Sequence, residues 1–219
     1  MEPFRILTGP AAPLLLDDVN TDQIIPSAWL KDMNADLAHG FLAYMRQRPD
    51  GSRNPDFVLE KPQYRETRIL VAGSNFGCGS SREHAVWALR AFGIRCVIAR
   101  SHAEFFRENC LKNGVLPIVL AEPQMRVLVQ RVTQTDGGEP FTVDLESCEI
   151  RGPLGYLCRF EIDSQERTAL LEGLDDIGLT LRHLDAIAAW EARTAKESPF
   201  LQASIARISA AGNVFKRDA

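Results

Sequence analysis

A glycine-rich segment near the middle of the chain carries the side chains best suited to chemistry. Three glycines, Gly73, Gly77 and Gly79, precede the run Ser80-Ser81-Arg82. Between a strand and a helix, such a loop presents free backbone amides to an anion, but the spacing matches neither the phosphate loop nor the dinucleotide fingerprint. Arginine offers a planar fork of donors that fits a carboxylate. The segment therefore favours a carboxylate ligand over a nucleotide, and a tight turn with a solvated arginine is the simpler alternative.

Three side chains in or near this loop are candidates for acting on a ligand. Cys78 lies at the apex, where a nucleophile elbow places its thiol, although a small packed cysteine also fits. The Ser80 hydroxyl could act as a base, because Arg82 and a helix N-terminus would stabilise its alkoxide. The same oxygen is predicted to cap that helix, since Ser80 and Glu83 form the pattern of a capping box. A buried Asp22 could orient Arg82 from across the fold, and an Asx turn is its simpler interpretation.

A strand and a helix are needed to position these side chains. Residues 68–73 are a short apolar run closed by glycine, which predicts a buried strand. A helix is predicted from the serines to Phe92, with Gly93 as its C-terminal residue and a second buried strand over 94–99. Together these elements predict a right-handed parallel β–α–β unit with the glycine-rich loop at its edge.

The rest of the chain predicts helices and strands around that unit. The stretch 46–56 is rich in proline and turn formers, which indicates a surface loop. Pro117 within a predicted strand indicates the edge of a sheet. The other predicted elements are helices over 103–113, 123–132, 163–173, 181–193 and from Ser198, and strands over 115–120, 141–145 and 157–162, the last two joined as a hairpin by the turn 152–155. The fold class is therefore α/β, with a central partly parallel sheet, flanking helices and an antiparallel hairpin.

Composition excludes several classes of function. The chain has 25 Lys and Arg against 29 Asp and Glu, a net charge of −4. It therefore lacks the excess of positive charge that is typical of proteins that bind nucleic acid or an anionic membrane. No apolar run is long enough to span a bilayer, and the first residues do not form a secretion signal. Five cysteines without a C-x-x-C pair indicate a reducing compartment, so we expect a cytoplasmic protein. Neither the cysteines nor the four histidines show the spacing of a metal or iron–sulfur site, so we expect no metal on this chain.

The loop and its surroundings resemble a known family. The run from Asn75 to Ala85, Asn-Phe-Gly-Cys-Gly-Ser-Ser-Arg-Glu-His-Ala, resembles the signature of small subunits of 3-isopropylmalate dehydratase (isopropylmalate isomerase). These subunits are equivalent to the swivelling domain of aconitase. Further similar blocks occur in the expected order at 21–26, 54–59, 109–117 and 173–180. The resemblance covers roughly residues 5–192, and the tail after about residue 193 has no counterpart in it.

The resemblance implies one swivelling β/β/α domain over residues 1–219, with a helical tail after about residue 193. It also implies a heteromeric hydro-lyase of leucine biosynthesis that interconverts 2-isopropylmalate and 3-isopropylmalate through an unsaturated diacid. The large subunit would carry a 4Fe–4S cluster and this chain no cofactor. Carried over by motif, Ser80 is the base and Arg82 binds a carboxylate of the dicarboxylate substrate, with Ser81, Gly79 and Asp22 assisting. Cys78 is then a loop residue and not a nucleophile.

The substrate is less closely defined than the reaction. The candidate specificity loop spans 24–33 and includes Ile24, Ile25, Trp29 and Met33. Aconitases have Phe-Arg where this chain has Asp32-Met33, and a non-basic residue there suits an alkyl substituent, because an unpaired carboxylate is costly to desolvate. Isopropylmalate enzymes often carry basic residues shortly after this point, and 32–38 contains none. A small subunit of the methylmalate/citraconate or homoaconitate type is therefore an alternative. A Cys78-dependent hydrolase or amidotransferase and an anion-binding regulatory module are the alternatives from other classes.

Overall fold

The computed structural model describes residues 1–32, 34–198 and 200. Contacts divide the chain into two units, Met1–Asp175 and a second that begins at Asp176. The strands of the first unit are β1 (Ile6–Gly9), β2 (Ala11–Leu14), β3 (Ile69–Ala72), β4 (Cys96–Ala99), β5 (Leu116–Val119), β6 (Phe141–Asp144), β7 (Glu149–Gly152) and β8 (Tyr156–Arg159). Its helices are α1 (Thr21–Ile24), α2 (Leu37–Gly40), α3 (Ala43–Arg46), α4 (Glu83–Phe92), α5 (Glu104–Lys112), α6 (Glu122–Thr135) and α7 (Ser164–Glu172), with short 3-10 turns at Ser27–Leu30, Val58–Glu60 and Pro62–Tyr64.

Among its described residues, the second unit has the helices α8 (Asp176–Leu181) and α9 (Leu184–Glu197). A short turn separates them, in which the His183 amide donates to the Thr180 carbonyl at 3.0 Å. The helix predicted over 181–193 is therefore wrong at its start, because α8 ends where that helix was expected to begin. The segment predicted from Ser198 depends on Pro199, which lies outside the described residues. Along the described chain, no helix combines the length and the apolar character needed to cross a bilayer.

The strands of the first unit form two four-stranded sheets of opposite kinds. The order β2-β3-β4-β5 is parallel throughout, and the order β1-β6-β7-β8 is antiparallel throughout. Only Pro10 separates β1 from β2, yet the two strands join different sheets. The Pro10 carbonyl accepts the Arg68 amide at 3.1 Å, which ties this crossing to the start of β3.

The parallel sheet is the middle layer, and this explains its composition. Every residue of β3 and β4 is buried, as expected for strands that are covered on both faces. One face packs against helices, and its core includes Leu70, Val97, Ala85, Leu89 and Phe106. The other face packs against the antiparallel sheet and α6, and its core includes Val71, Ile98, Phe141, Val143 and Leu128. The layers are therefore β, β and α.

The central predictions of the sequence analysis are confirmed. β3, α4 and β4 form a parallel unit, and Gly93 ends α4 at φ 109°. β5, which contains Pro117, is an edge strand of the parallel sheet. The helix predicted over 163–173 is α7, which Asp163 caps by accepting the amides of Gln165 and Glu166. The stretch after α3 is a mostly exposed turn with a bridge between Gln47 and Arg53.

Two predictions of local structure in the first unit are wrong. The turn 152–155 joins β7 to β8, because an additional strand, β7, lies between the two predicted strands and pairs with both. The predicted cap at Ser80 is absent, since α4 begins at Glu83 and Arg82 is the residue before it. The backbone of Arg82 is extended (φ −115°, ψ 107°), so Ser80 lies outside the helix and its side chain cannot reach the first turn. The Ser80 oxygen is thus not occupied by a helix cap.

Candidate active site

The shape of the loop after β3 depends on residues with left-handed backbone. We define residues 74–80 as the signature loop; Asn75, Gly77 and Gly79 have φ values of 53°, 80° and 88° within it. Glycine adopts this conformation freely and asparagine tolerates it better than most residues. A Cβ atom at Gly77 would also overlap the ring of Phe106, so this position accepts only glycine. The glycines therefore serve both conformation and close packing.

One side of the signature loop is held by the segment 17–21. The amide of Gly77 donates to the Val19 carbonyl at 2.7 Å, and the amide of Thr21 donates to the Cys78 carbonyl at 2.9 Å. The Thr21 hydroxyl donates to the Ser80 carbonyl at 3.0 Å. Because Thr21 is buried, these bonds fix the backbone at Ser80 from the interior.

The other side of the signature loop is held by residues that follow β4. Ser101 accepts the amide of Asn75 on its hydroxyl at 2.8 Å and the amide of Phe76 on its carbonyl at 3.1 Å. The Ala103 amide donates to the Phe76 carbonyl at 3.0 Å. Sequence analysis did not identify Ser101, although loops that follow neighbouring parallel strands meet at the same sheet edge.

These bonds decide which loop amides remain for a ligand. The amides of Ser74, Asn75, Phe76 and Gly77 are all used within the protein, so the expectation of a generally open loop is wrong for this half. Within the described ranges, no acceptor binds the amides of Gly79, Ser80 or Ser81. The open donors are therefore confined to the part of the chain that leads into α4.

The side chains with predicted roles stand at this open end. Ser80 and Ser81 are exposed, and the Arg82 side chain is 27% exposed. Arg82 Nη1 donates to Asp22 Oδ1, so the expected contact across the fold is present. Asp22 itself is not buried, since its side chain is 57% exposed. Asp22 is exposed because α1 faces the core with Thr21 and Ile24, which places Asp22 on its outer side.

The thiol of Cys78 lies apart from this group. Its Sγ atom donates to the main-chain carbonyl of Asp18 at 3.4 Å, and the side chain is half-buried. A carbonyl oxygen cannot act as a general base, so this contact does not activate a nucleophile. The geometry favours Cys78 as a structural part of the loop.

The candidate specificity loop is buried at its start and exposed at several later positions. Ile24 and Ile25 are fully buried in the core, so they cannot contact a ligand directly. Trp29 is half-buried, and the centroid of its ring lies 5.0 Å from that of His39. Met33 lies outside the described residues. Of the four residues named for this segment, Trp29 is thus the one whose side chain is both described and partly exposed.

A partly buried histidine behind the loop, His102, was not identified from the sequence. His102 Nε2 donates to the Ile118 carbonyl at 3.2 Å, and its Nδ1 is sealed from solvent without a partner among the described residues. Burial lowers the pKa of His102 to about 4. The ring is therefore neutral at pH 7, and it stacks on Phe106, the same ring that closes over Gly77.

The cysteines of this chain do not fit an iron–sulfur cluster. The five thiols are unpaired, and Cys96 and Cys110 are buried in the core, where burial raises their pKa values. Among the described residues, no group of three or more His, Cys, Asp or Glu side chains is placed to hold a metal ion. A cluster needs several converging thiolates, which these positions do not provide.

Two layers of sheet, a helical layer and a clamped loop at the edge of the parallel sheet define a domain of the aconitase C-terminal class. The family model described as the aconitase C-terminal domain matches residues 1–123. A second model, described as the C-terminal domain of the 3-isopropylmalate dehydratase small subunit, matches residues 176–204. The chain belongs to the family of 3-isopropylmalate dehydratase small subunits.

Individual relatives agree with the family models. The 3-isopropylmalate dehydratase small subunit of Mesorhizobium japonicum is 51% identical over 201 residues, which cover 91% of this chain and 100% of that protein. The small subunit of Xanthobacter autotrophicus is 50% identical over 202 residues, with 92% and 100% covered. The solved structure of 3-isopropylmalate dehydratase from Methanocaldococcus jannaschii matches with a TM-score of 0.58 at 30% identity, over 85% of this chain and 99% of that chain.

Proposed function

We propose that this chain is the small subunit of a heteromeric hydro-lyase that interconverts 2-isopropylmalate and 3-isopropylmalate in leucine biosynthesis. The observation that carries the proposal is the open end of the signature loop, where Ser80 and Ser81 are exposed and Arg82 is partly exposed, at the end of a loop that is held from both sides. A rigid but uncovered site is what a subunit needs when a partner completes it. The relatives that share about half of this sequence over their full length are named as such subunits.

Arg82 is suited to hold a carboxylate of the substrate. Its bond to Asp22 uses Nη1, and among the described residues nothing binds Nη2 or Nε. A guanidinium has five N–H donors, so one edge remains for a second carboxylate. Asp22 restricts the directions in which the side chain can point, and the amides of Gly79, Ser80 and Ser81 add neutral donors beside it.

Ser80 is the proposed base. In the step that forms the double bond, its alkoxide would take the proton from the carbon next to the one that loses hydroxide. A serine hydroxyl keeps its proton in water at neutral pH, so Ser80 in the isolated chain is a poor base. The charge of Arg82 would favour the alkoxide, and its effect would be stronger once a partner surface excludes water. Thr21 fixes the Ser80 carbonyl, which limits the movement of the hydroxyl.

The partner is the proposed source of the Lewis acid. The thiols of this chain do not fit a cluster, and we place the 4Fe–4S cluster on the large subunit. We therefore expect no turnover by the small subunit alone. The cytoplasmic location remains a prediction that rests on the five unpaired cysteines.

The test is turnover by the small subunit reconstituted with its large subunit. We expect conversion of 2-isopropylmalate, followed by the absorbance of the unsaturated diacid, and none with either subunit alone. Ser80→Ala should lower kcat by about 10²–10⁴-fold, whereas Cys78→Ala should have a mild effect. The reverse order would refute the role of Ser80 and support a cysteine-dependent reaction. Faster turnover of methylmalate or homoaconitate than of 2-isopropylmalate would support the same type of reaction but assign a different substrate.

A further inference from the structure

Arg100, which follows β4 directly, connects the two segments that hold the signature loop. Its Nη2 donates to Asp17 Oδ1 at 2.6 Å, and its Nη1 donates to Glu122 Oε2 at 3.4 Å. Asp17 begins the segment on one side of the loop, and Arg100 begins the segment on the other side. The ion pair between Arg100 and Asp17 therefore joins the two segments that hold the signature loop, at the residues where these segments begin.

Asp17 also holds the first residue of the loop. Its Oδ1 atom accepts the amide of Ser74 at 2.6 Å, in addition to the bond from Arg100. The carboxylate lies so close to Gly73 that a Cβ atom there would overlap it. Ser74 and then Arg100 lower the pKa of Asp17, so this side chain is ionised at neutral pH. Asp17 Oδ1 thus links Ser74, just after β3, to the guanidinium of Arg100, just after β4.

The neighbouring residue extends this connection into the loop. Asp18 has a left-handed backbone (φ 55°), and its amide donates to the Ser74 carbonyl at 2.9 Å. Its Oδ1 accepts the side-chain amide of Asn75 at 2.8 Å. A shift of Asp17 would therefore change the path of the backbone through Asp18 and Asn75, from which Ser80 and Arg82 follow.

We propose that Arg100 is a positioning residue that fixes the start of the signature loop through Asp17 and thereby places Ser80 and Arg82. The proposal deepens the function proposed above and rests on it. Arg100 itself is assigned no contact with substrate. The side chains of Arg100 and Asp17 are 39% and 53% exposed, and exposed ion pairs contribute little to global stability. The effect of Arg100 should therefore appear in the order of the loop and in kcat, not in the unfolding temperature.

The experiment compares Arg100→Ala with a matched ion pair elsewhere. Arg5 binds Glu146 at 2.6 Å, with side chains 61% and 53% exposed, and Arg5→Ala is the control. Hydrogen exchange in the full-length chain reports on the amides of residues 74–77. Arg100→Ala should speed their exchange about tenfold, and in the reconstituted enzyme it should lower kcat about tenfold with a smaller change in KM. Arg100→Lys should keep most of the protection against amide exchange and most of kcat, because a lysine can keep the bond to Asp17.

A double variant separates positioning through Asp17 from other effects. Asp17→Asn keeps an acceptor for Ser74 but removes the charge, so adding Arg100→Ala to it should cause little further loss. Unchanged exchange in Arg100→Ala, or an equal change in Arg5→Ala, would overturn the proposal. The exchange measurement does not need turnover. If the wild-type complex fails to convert isopropylmalate, the proposed function fails, while the exchange result still decides whether Arg100 orders the loop.

Discussion

Replacing His102 by glutamine should make the stability of the protein less dependent on pH. The folded chain lowers the pKa of His102 from 6.5 to about 4, chiefly by burial, and nearby Arg107 acts in the same direction. As the pH falls, the unfolded chain takes up the proton first, because its histidine has the higher pKa. The contribution of neutral His102 is therefore complete above pH 6.5 and is lost as the pH falls from 6.5 towards 4.

The size of this effect follows from the shift. One pKa unit corresponds to about 1.36 kcal/mol, so lowering the pH from 7 to 5 should cost the wild type up to about 2 kcal/mol through this one group. Glutamine places an amide nitrogen near the position of Nε2 and can keep the bond to the Ile118 carbonyl. It does not titrate, so the loss between pH 7 and pH 5 should be about 2 kcal/mol smaller in His102→Gln than in the wild type.

Urea unfolding of the full-length chain, followed by circular dichroism between pH 5 and pH 7, measures this difference. His39→Gln is the control, because His39 is exposed and lies on α2. His39→Gln keeps His102, so its loss of unfolding free energy between pH 7 and pH 5 should be larger than that of His102→Gln. If the His102→Gln curve runs parallel to the wild type, the inference that folding holds His102 neutral is refuted.

Two further substitutions test the geometry of the site. Gly77→Ala should destabilise the chain by about 3 kcal/mol or more, because the backbone is left-handed and the methyl group overlaps Phe106; Gly51→Ala, at nearly the same φ but in open space, should cost only about 1 kcal/mol. Thermal unfolding measures both, and equal losses would contradict the packing argument. Arg82→Lys keeps the charge beside Asp22 but loses the planar fork, so KM should rise about tenfold with a smaller change in kcat. A KM unchanged in the reconstituted enzyme would exclude Arg82 as the carboxylate ligand.

Local patterns predicted the centre of this fold well. β3, α4 and β4 follow one another with a continuous apolar run, a helical period and a terminal glycine, and each of these signals comes from neighbouring residues. The contact between Asp22 and Arg82 was inferred from the opposite charges of two polar segments, with a buried Asp22 as part of the inference. The error at Ser80 is also local, because a capping pattern cannot show that the chain stays extended until Arg82.

What could not be predicted depends on contacts between distant parts of the chain. Asn75 binds Asp18 across 57 positions of sequence, and Arg100 binds Asp17 across 83. No periodicity links such positions. For the same reason, the burial of Ile24 and Ile25 and the exposure of Asp22 became apparent only from the orientation of α1 against the core.

The change of sheet at Pro10 affects how the chain can fold while it is being synthesised. Thr8 of β1 meets Thr142 of β6, which is 134 positions later. At a synthesis rate of roughly 5–20 residues per second, the ribosome completes β1 on the order of ten seconds before its partner strand exists. The matched aconitase segment ends at residue 123, before that partner. A nascent chain that stopped at residue 123 would contain no strand to pair with β1. The apolar face of the parallel sheet that normally packs against the antiparallel sheet would then be exposed and prone to aggregation.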